Sequence, residues 1–266
     1  KARAISLVLL GGVAAGFLGP RLSYLAKDWI AGAEYAGSFL IITVLSLVAM
    51  GLLSQTKLAP IVKPKEGDKK GRSALQLAKE PEIFIPIITG MVSYALMTFV
   101  MVAAPLAMVH ICGHSPEKAT TTIQWHIISM FAPSLFTGHL INRIGAHMTV
   151  GLGLMLILGC ALINLNGITT WHFDAALILL GVGWNFGFIG STTLLSQAYK
   201  PEEASTAQGL NEPFVFGSMA VASISSGVLL NTLGWQSINV LVLPLVTATL
   251  ALLAWGEIRQ RQLRAG

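Results

Sequence analysis

The sequence predicts an all-α integral membrane protein, and three observations carry that expectation. Hydrophobic residues make up 54% of the 266 and charged residues only 11%, with a mean hydropathy of +0.70; a soluble domain carries roughly 25% charged residues. The apolar residues fall into long uninterrupted runs, and a bilayer core needs about 20 such residues per helix. Those runs are also too long and too uniformly apolar for the short alternating strands of a membrane barrel.

Eight spans are expected, at roughly 5–23, 33–54, 83–109, 119–141, 147–165, 171–196, 206–231 and 236–256, with ends good to about 2–4 residues. The first run lacks the small-residue cleavage site of a signal peptide. Because the chain starts at Lys1 rather than Met, it is expected to be incomplete. The stretch 57–82 is the one long polar connection: Pro60, Pro64 and Gly67 break helices, and Ser73 to Lys79 reads as a short amphipathic surface helix.

Basic residues set the orientation. With 57–82 in the cytoplasm, fourteen lysines and arginines lie inside and three (Arg21, Lys27 and Lys118) outside. Both ends of the chain are then cytoplasmic. The net charge of +5 is explained by this bias, so no nucleic-acid partner is expected.

The order of two spans, a long basic loop and six further spans resembles the major facilitator superfamily with its first four helices absent. Gly12, Gly16, Gly19 and Pro20 (GGVAAGFLGP) resemble the glycine-proline motif of that family's fifth helix. Gly138, Asn142, Arg143 and Gly145 (GHLINRIGAH) resemble its G-x-x-x-D-R-x-G-R-R loop between helices eight and nine, with Asn142 in place of the aspartate and Ala146 and His147 in place of the basic pair. PEEASTAQGLNE stands where helix ten hands over to helix eleven. The strings IQWHIISMFAPSLFTG and GWNFGFIGSTTLL are similar to a bacterial branch that holds riboflavin importers and efflux permeases.

The resemblance implies a partial fold. Residues 1–56 would be the last two helices of the N-terminal half, 57–82 the central cytoplasmic loop, 83–256 a complete C-terminal six-helix half, and 257–266 a cytoplasmic tail. It implies a secondary transporter of a small organic solute in a bacterial cytoplasmic membrane. Alternating access, with protons as the coupling ion, is the expected mechanism. A non-transporting receptor or scaffold on the same helices is the alternative.

Gly12, Gly16 and Gly19 recur at helical spacing on one face, where small residues let backbones approach in lipid, and Pro20 adds a bend. This is equally the pattern of plain helix packing and of a hinge. Trp184 and Asn185 sit between Gly181, Gly183, Gly187 and Gly190 near the middle of the sixth span. They place an aromatic face and an amide at the depth where facilitators bind solute, which suits a flat, partly polar, ring-bearing molecule. The competing reading is a glycine packing groove with Asn185 bonded to a neighbouring helix.

Gln124 and His126 are further solute-contact candidates; two residues apart, they do not share a helix face. Tyr94 is another, with Thr98 and Pro105 on the same span. Glu212, beside Asn211, is the one carboxylate well inside an apolar run. It is the candidate for proton coupling or gating; the competing reading is a cytoplasmic-end pair with Arg143 or Lys200, which would act as a latch.

His110, Cys112 and His114 lack a fourth metal ligand. No phosphate-binding glycine loop or serine-histidine-acid set is recognisable. No enzyme activity, metal or cofactor is therefore expected.

Overall fold

A computed structural model describes residues 2–56 and 71–265, with side chains described for 11–56 and 71–262. Most of the 57–82 connection therefore lies outside the described residues. Among those described, every regular element is helical.

The order is α1 (Ala2–Ala26), α2 (Ala36–Ser54), α3 (Ala74–Ala78), α4 (Pro81–Leu106), α5 (Pro116–Phe131), α6 (Ser134–Ile144), α7 (Ala146–Asn166), α8 (Thr170–Ala198) and α9 (Ala204–Ala265). A π turn, Ala107–Ile111, extends α4, and a 3-10 turn, Pro201–Glu203, precedes α9. Among the described residues, five helical segments are long and apolar enough to cross a membrane: α2, Pro81–Ile111, α7, α8 and Pro201–Gln262.

Local sequence explains the boundaries. Ser73 and Gln76 form a reciprocal capping box that starts α3. Pro81 opens α4, where a missing N–H costs nothing. Pro133 splits the run 119–141 into α5 and α6, because it cannot donate to the helix it would continue. The runs 206–231 and 236–256 lie within the single 62-residue α9, which is broken at Gly234 with φ 77° and ψ 177°. A straight rod of that length would reach about 93 Å, three times the thickness of a bilayer core. The left-handed φ, open to glycine, is what interrupts it.

The core lies between α4, α7, α8 and α9, around fully buried Leu154, Ile157, Phe173, Leu177, Leu180 and Ile238. The α7–α8 contact is backbone on backbone. A Cβ on Gly183 would stand 2.8 Å from the Gly153 carbonyl oxygen and 2.9 Å from Ile157 Cγ1. Small residues allow this approach, and in lipid such close packing is a main source of helix association.

The pair α1–α2 is held differently. Ser38 Oγ donates to the Ser23 carbonyl at 2.6 Å within the pair, and α1 lies along α5. Most of α2 is exposed, Phe39 at 70%.

Ion pairs mark the two ends of the bundle. One end carries Arg72, Glu80 and Glu203; the other carries Lys118 with Asp174 and Arg21 with Glu117.

Candidate solute site

The middle of α8 is gripped on three sides. Gly183 faces α7, Gly181 sits against Ser129 and His126 of α5, and Gly187 sits against Ser93 of α4. With small residues on those faces, the bulky side chains share what remains. Trp184 stacks on Phe188, one turn away, with ring centroids 5.4 Å apart and planes 8° apart. Tyr94 of α4 meets both rings edge-on, at 5.3 and 5.2 Å. Phe131 of α5 approaches Trp184 at 6.1 Å, and Phe216 of α9 approaches Tyr94 at 6.0 Å. Four helices thus converge on one aromatic cluster.

Trp184 is 7% exposed, and its indole Nε1 is buried without a hydrogen-bond partner among the described residues. A buried N–H left unpaired is costly, by about 1–3 kcal/mol, so this donor is notable inside a ring-lined site. Edge-on and stacked rings offer π faces to a flat molecule.

Asn185 points elsewhere. It is fully buried, and its Nδ2 donates to the Met130 carbonyl and to Ser134 Oγ, each at 2.6 Å. Its Oδ1 accepts from Thr137 Oγ1 at 2.6 Å. All these partners flank the break at Pro133, so the amide clasps the α5–α6 kink. Of the two readings open for this glycine-rich stretch, the bonded amide in a packing groove describes Asn185, while Trp184 belongs to the aromatic cluster.

Gln124 and His126 diverge as their spacing requires. Gln124 Nε2 donates to the Phe17 carbonyl of α1 at 2.7 Å. His126 is fully buried, with Nδ1 2.8 Å from the Leu177 carbonyl of α8 and Nε2 without a partner among the described residues.

The α1 glycines are unequal. A Cβ on Gly12 would lie 3.1 Å from Phe131 Cδ1, and Gly16 packs against Ile127, whereas nothing among the described residues approaches Gly19. With Arg21 donating to Glu117 at 3.4 Å, an antiparallel α1–α5 seam runs from Phe131 to Glu117. Pro20 borders a cavity at the Lys118 end.

Asn211 is buried, but Glu212 is exposed and has no ion pair with Arg143 or Lys200 among the described residues. Glu212 lies one turn from Phe216, on the side of α9 that meets the aromatic cluster. Arg143 occupies the exposed last turn of α6, where a cation complements the helix dipole.

Sequence reasoning passed over three groups. Phe188 could have been found from its i+4 spacing to Trp184; Phe131 and Phe216 carry no local signal. Nor does the triad at the Arg72 end. There, the Glu203 carboxylate accepts from Arg72 Nε and Nη2 at 2.7 Å, and from the backbone N–H groups of Arg72 and Lys200 at 3.0 Å. Arg72 also bonds Glu80. The Arg72 guanidinium holds the Glu203 carboxyl well below the usual carboxylate range, and the two carboxylates push the guanidinium higher still. At the opposite end, Asp174 accepts from Lys118 Nζ at 2.7 Å and from Thr122 Oγ1 at 2.6 Å.

Long apolar helices packed through glycine, with polar groups bonded between helices and ion pairs at the two ends, define a polytopic helical membrane protein. The sequence matches the Major Facilitator Superfamily over residues 1–222 and again over 87–264. The chain belongs to that family.

It is 46% identical over 252 residues to the riboflavin transporter RfnT of Brucella anthropi, covering 94% of this chain and 63% of that protein. Two MFS-type transporters of Bacillus subtilis, YdeG and YddS, are 28% and 27% identical, each over 86% of this chain and 56% of its own length. The chain thus spans between 56% and 63% of the length of the curated relatives it matches.

Proposed function

We propose that this chain is the greater part of a secondary transporter for a small ring-bearing organic solute, with riboflavin as the first solute to test. The aromatic cluster around the unpartnered Trp184 indole carries the reading. Tyr94, Phe131, Trp184, Phe188 and Phe216 come from four helices, which is how a transporter assembles a midplane site from several spans. The 46% identity to a protein named as a riboflavin transporter supports the solute class. Trp184 and Tyr94 are assigned to solute contact, with His126 Nε2 a weaker third; Asn185 holds the kink beside them.

In this reading the chain crosses the membrane eight times. α5 with α6 forms one kinked span, and α9 forms two that meet at Gly234. Residues 1–56 close the N-terminal half and 83–256 form the C-terminal half. The basic bias puts the Arg72 end in the bacterial cytoplasm and the Lys118 end outside. The α1–α5 seam then joins the two halves on the outer side, and alternating access requires it to part. Glu212, exposed one turn from Phe216, is the candidate proton carrier.

The test is riboflavin uptake by cells lacking their own uptake system and expressing the full-length protein that contains this chain. Saturable uptake above the empty-vector level supports the reading. A receptor or scaffold on the same bundle would bind without flux.

A further inference from the structure

We propose that a second solute subsite lies between α1, α4 and α5 at the Lys118 end. It would receive the same flat, ring-bearing class of molecule on its way to or from the aromatic cluster. The proposal rests on the transport reading above.

A cavity of about 380 Å³ opens there, lined among others by Pro20, Tyr24, Tyr35, Pro105, His110 and Thr120. That volume falls within the range of about 300–1,000 Å³ typical of small-molecule sites. Three rings and rigid proline walls surround it. The Tyr24 and Tyr35 hydroxyls and the His110 ring have no hydrogen-bond partner among the described residues, so each is available to a solute. Lys27 Nζ lies 5.0 Å from the centre of the Tyr24 ring, adding a cation beside the cavity.

Two irregularities of the backbone present these rings. Tyr35 has φ 65° and is the one non-glycine residue with positive φ among the described residues. A large side chain in that left-handed region is strained and persists only where its surroundings impose it. His110 belongs to the π turn Ala107–Ile111, which follows Pro105. Such turns are rare and concentrate at functional sites. Two independent departures from regular geometry thus border one cavity.

The cavity also lies in line with the aromatic cluster. Tyr94, Met101 and Pro105 are spaced to lie on one stripe of α4 that leads to Val109 in the π turn, and each is only partly covered. From Tyr94 to Pro105 on α4, and from Phe131 to Thr120 on α5, the offset is the same number of residues, about 16 Å along either helix. That is half a bilayer core, so a solute leaving the cluster along these two helices arrives at this cavity.

The experiment uses the full-length protein and riboflavin as the probe. Tyr24→Ala and His110→Ala should each raise the half-saturating outside concentration for uptake roughly 3- to 10-fold, the scale of one lost ring contact. The maximal rate should stay within about twofold of wild type, as expected when only solute capture is weakened. Tyr24→Leu keeps bulk without the ring and serves if the alanine variant fails to reach the membrane. An unchanged half-saturation in both positions overturns the subsite.

Binding to the purified protein, followed by quenching of flavin fluorescence, separates this from the transport reading. Weakened binding in the Tyr24 and His110 variants supports the subsite even without flux. Affinity equal to wild type, or no riboflavin binding by the wild type, overturns it.

Discussion

Asn185 of α8 donates to the carbonyl of Met130 at 2.6 Å. That carbonyl lies three residues before Pro133, at the break between α5 and α6. Phe131, which follows Met130, faces Trp184, which precedes Asn185. One amide therefore fixes the kink and the spacing of two rings of the cluster. Asn185→Ala removes a donor from the buried Met130 carbonyl and from Ser134 Oγ, and leaves Thr137 Oγ1 with the Pro133 carbonyl alone. It is expected to cost about 1–3 kcal/mol of stability and to lower uptake through the rings it holds. Thermal unfolding of the purified protein in detergent, beside uptake, checks both effects; a fully stable Asn185→Ala protein would remove the clasp.

The α7–α8 interface makes a sharper steric prediction. Gly183→Val would drive a branched side chain into the Gly153 carbonyl and Ile157. Overpacking of this kind costs about 1–3 kcal/mol, and here backbone must move. Gly19→Val, where nothing lies within 4 Å, should be tolerated. Comparing the yield and melting temperature of the two variants in membranes tests whether glycine spacing or glycine content matters.

The Arg72–Glu203 pair predicts a pH dependence. Glu203 has a folded-state pKa depressed below its ordinary value of 4.5. Its contribution to stability is complete above that value and drains away as pH falls toward the depressed one. Melting temperature in detergent should therefore decline on acidification below about pH 4.5. Glu203→Gln should start from a lower melting temperature at neutral pH and lose less on acidification. Parallel acid limbs for the two proteins would contradict the pair's role.

The α1–α5 seam can be locked. A Cβ on Gly16 would lie 3.1 Å from Ile127 Cβ, somewhat closer than the roughly 3.8 Å of a relaxed disulfide. With Cys112 and Cys160 replaced, Gly16→Cys with Ile127→Cys should cross-link on oxidation. Uptake should stop, and a reductant should restore it. Full uptake by the cross-linked protein would mean that the seam does not open during transport.

Glu212→Gln tests coupling. If Glu212 carries the proton, uptake by the variant should lose most of its dependence on outside pH. A profile identical to wild type would remove Glu212 from that role.

Much of the helical layout was legible because it rests on local rules. Apolar runs located the long helices, the 73–79 stretch read as a short surface helix where α3 lies, and the two-residue spacing of Gln124 and His126 foretold their divergence. The glycine cluster around Trp184 pointed to a crowded place on α8, but not to which side chain joins the aromatic cluster and which is bonded to a neighbouring helix. That depends on neighbours from other helices: Asn185 is consumed by a kink that Pro133 makes more than fifty residues earlier. The Arg72–Glu203 contact joins residues 131 apart. Glu203 stands with Glu202 at the start of a helix, where acids are ordinary, and no periodicity reports so distant a partner. Glu212 lies in an apolar run yet is exposed, because hydropathy locates a span without saying which face is covered.

Riboflavin uptake by the full-length protein, with and without Trp184→Ala, tests the central claim most directly. The account predicts saturable uptake by the wild-type protein. It predicts that removing this ring and its indole N–H lowers the maximal rate by roughly tenfold or more, a loss of at least about 1.4 kcal/mol, with the variant still present in the membrane. Uptake unchanged by Trp184→Ala would contradict the assignment of the aromatic cluster as the solute site.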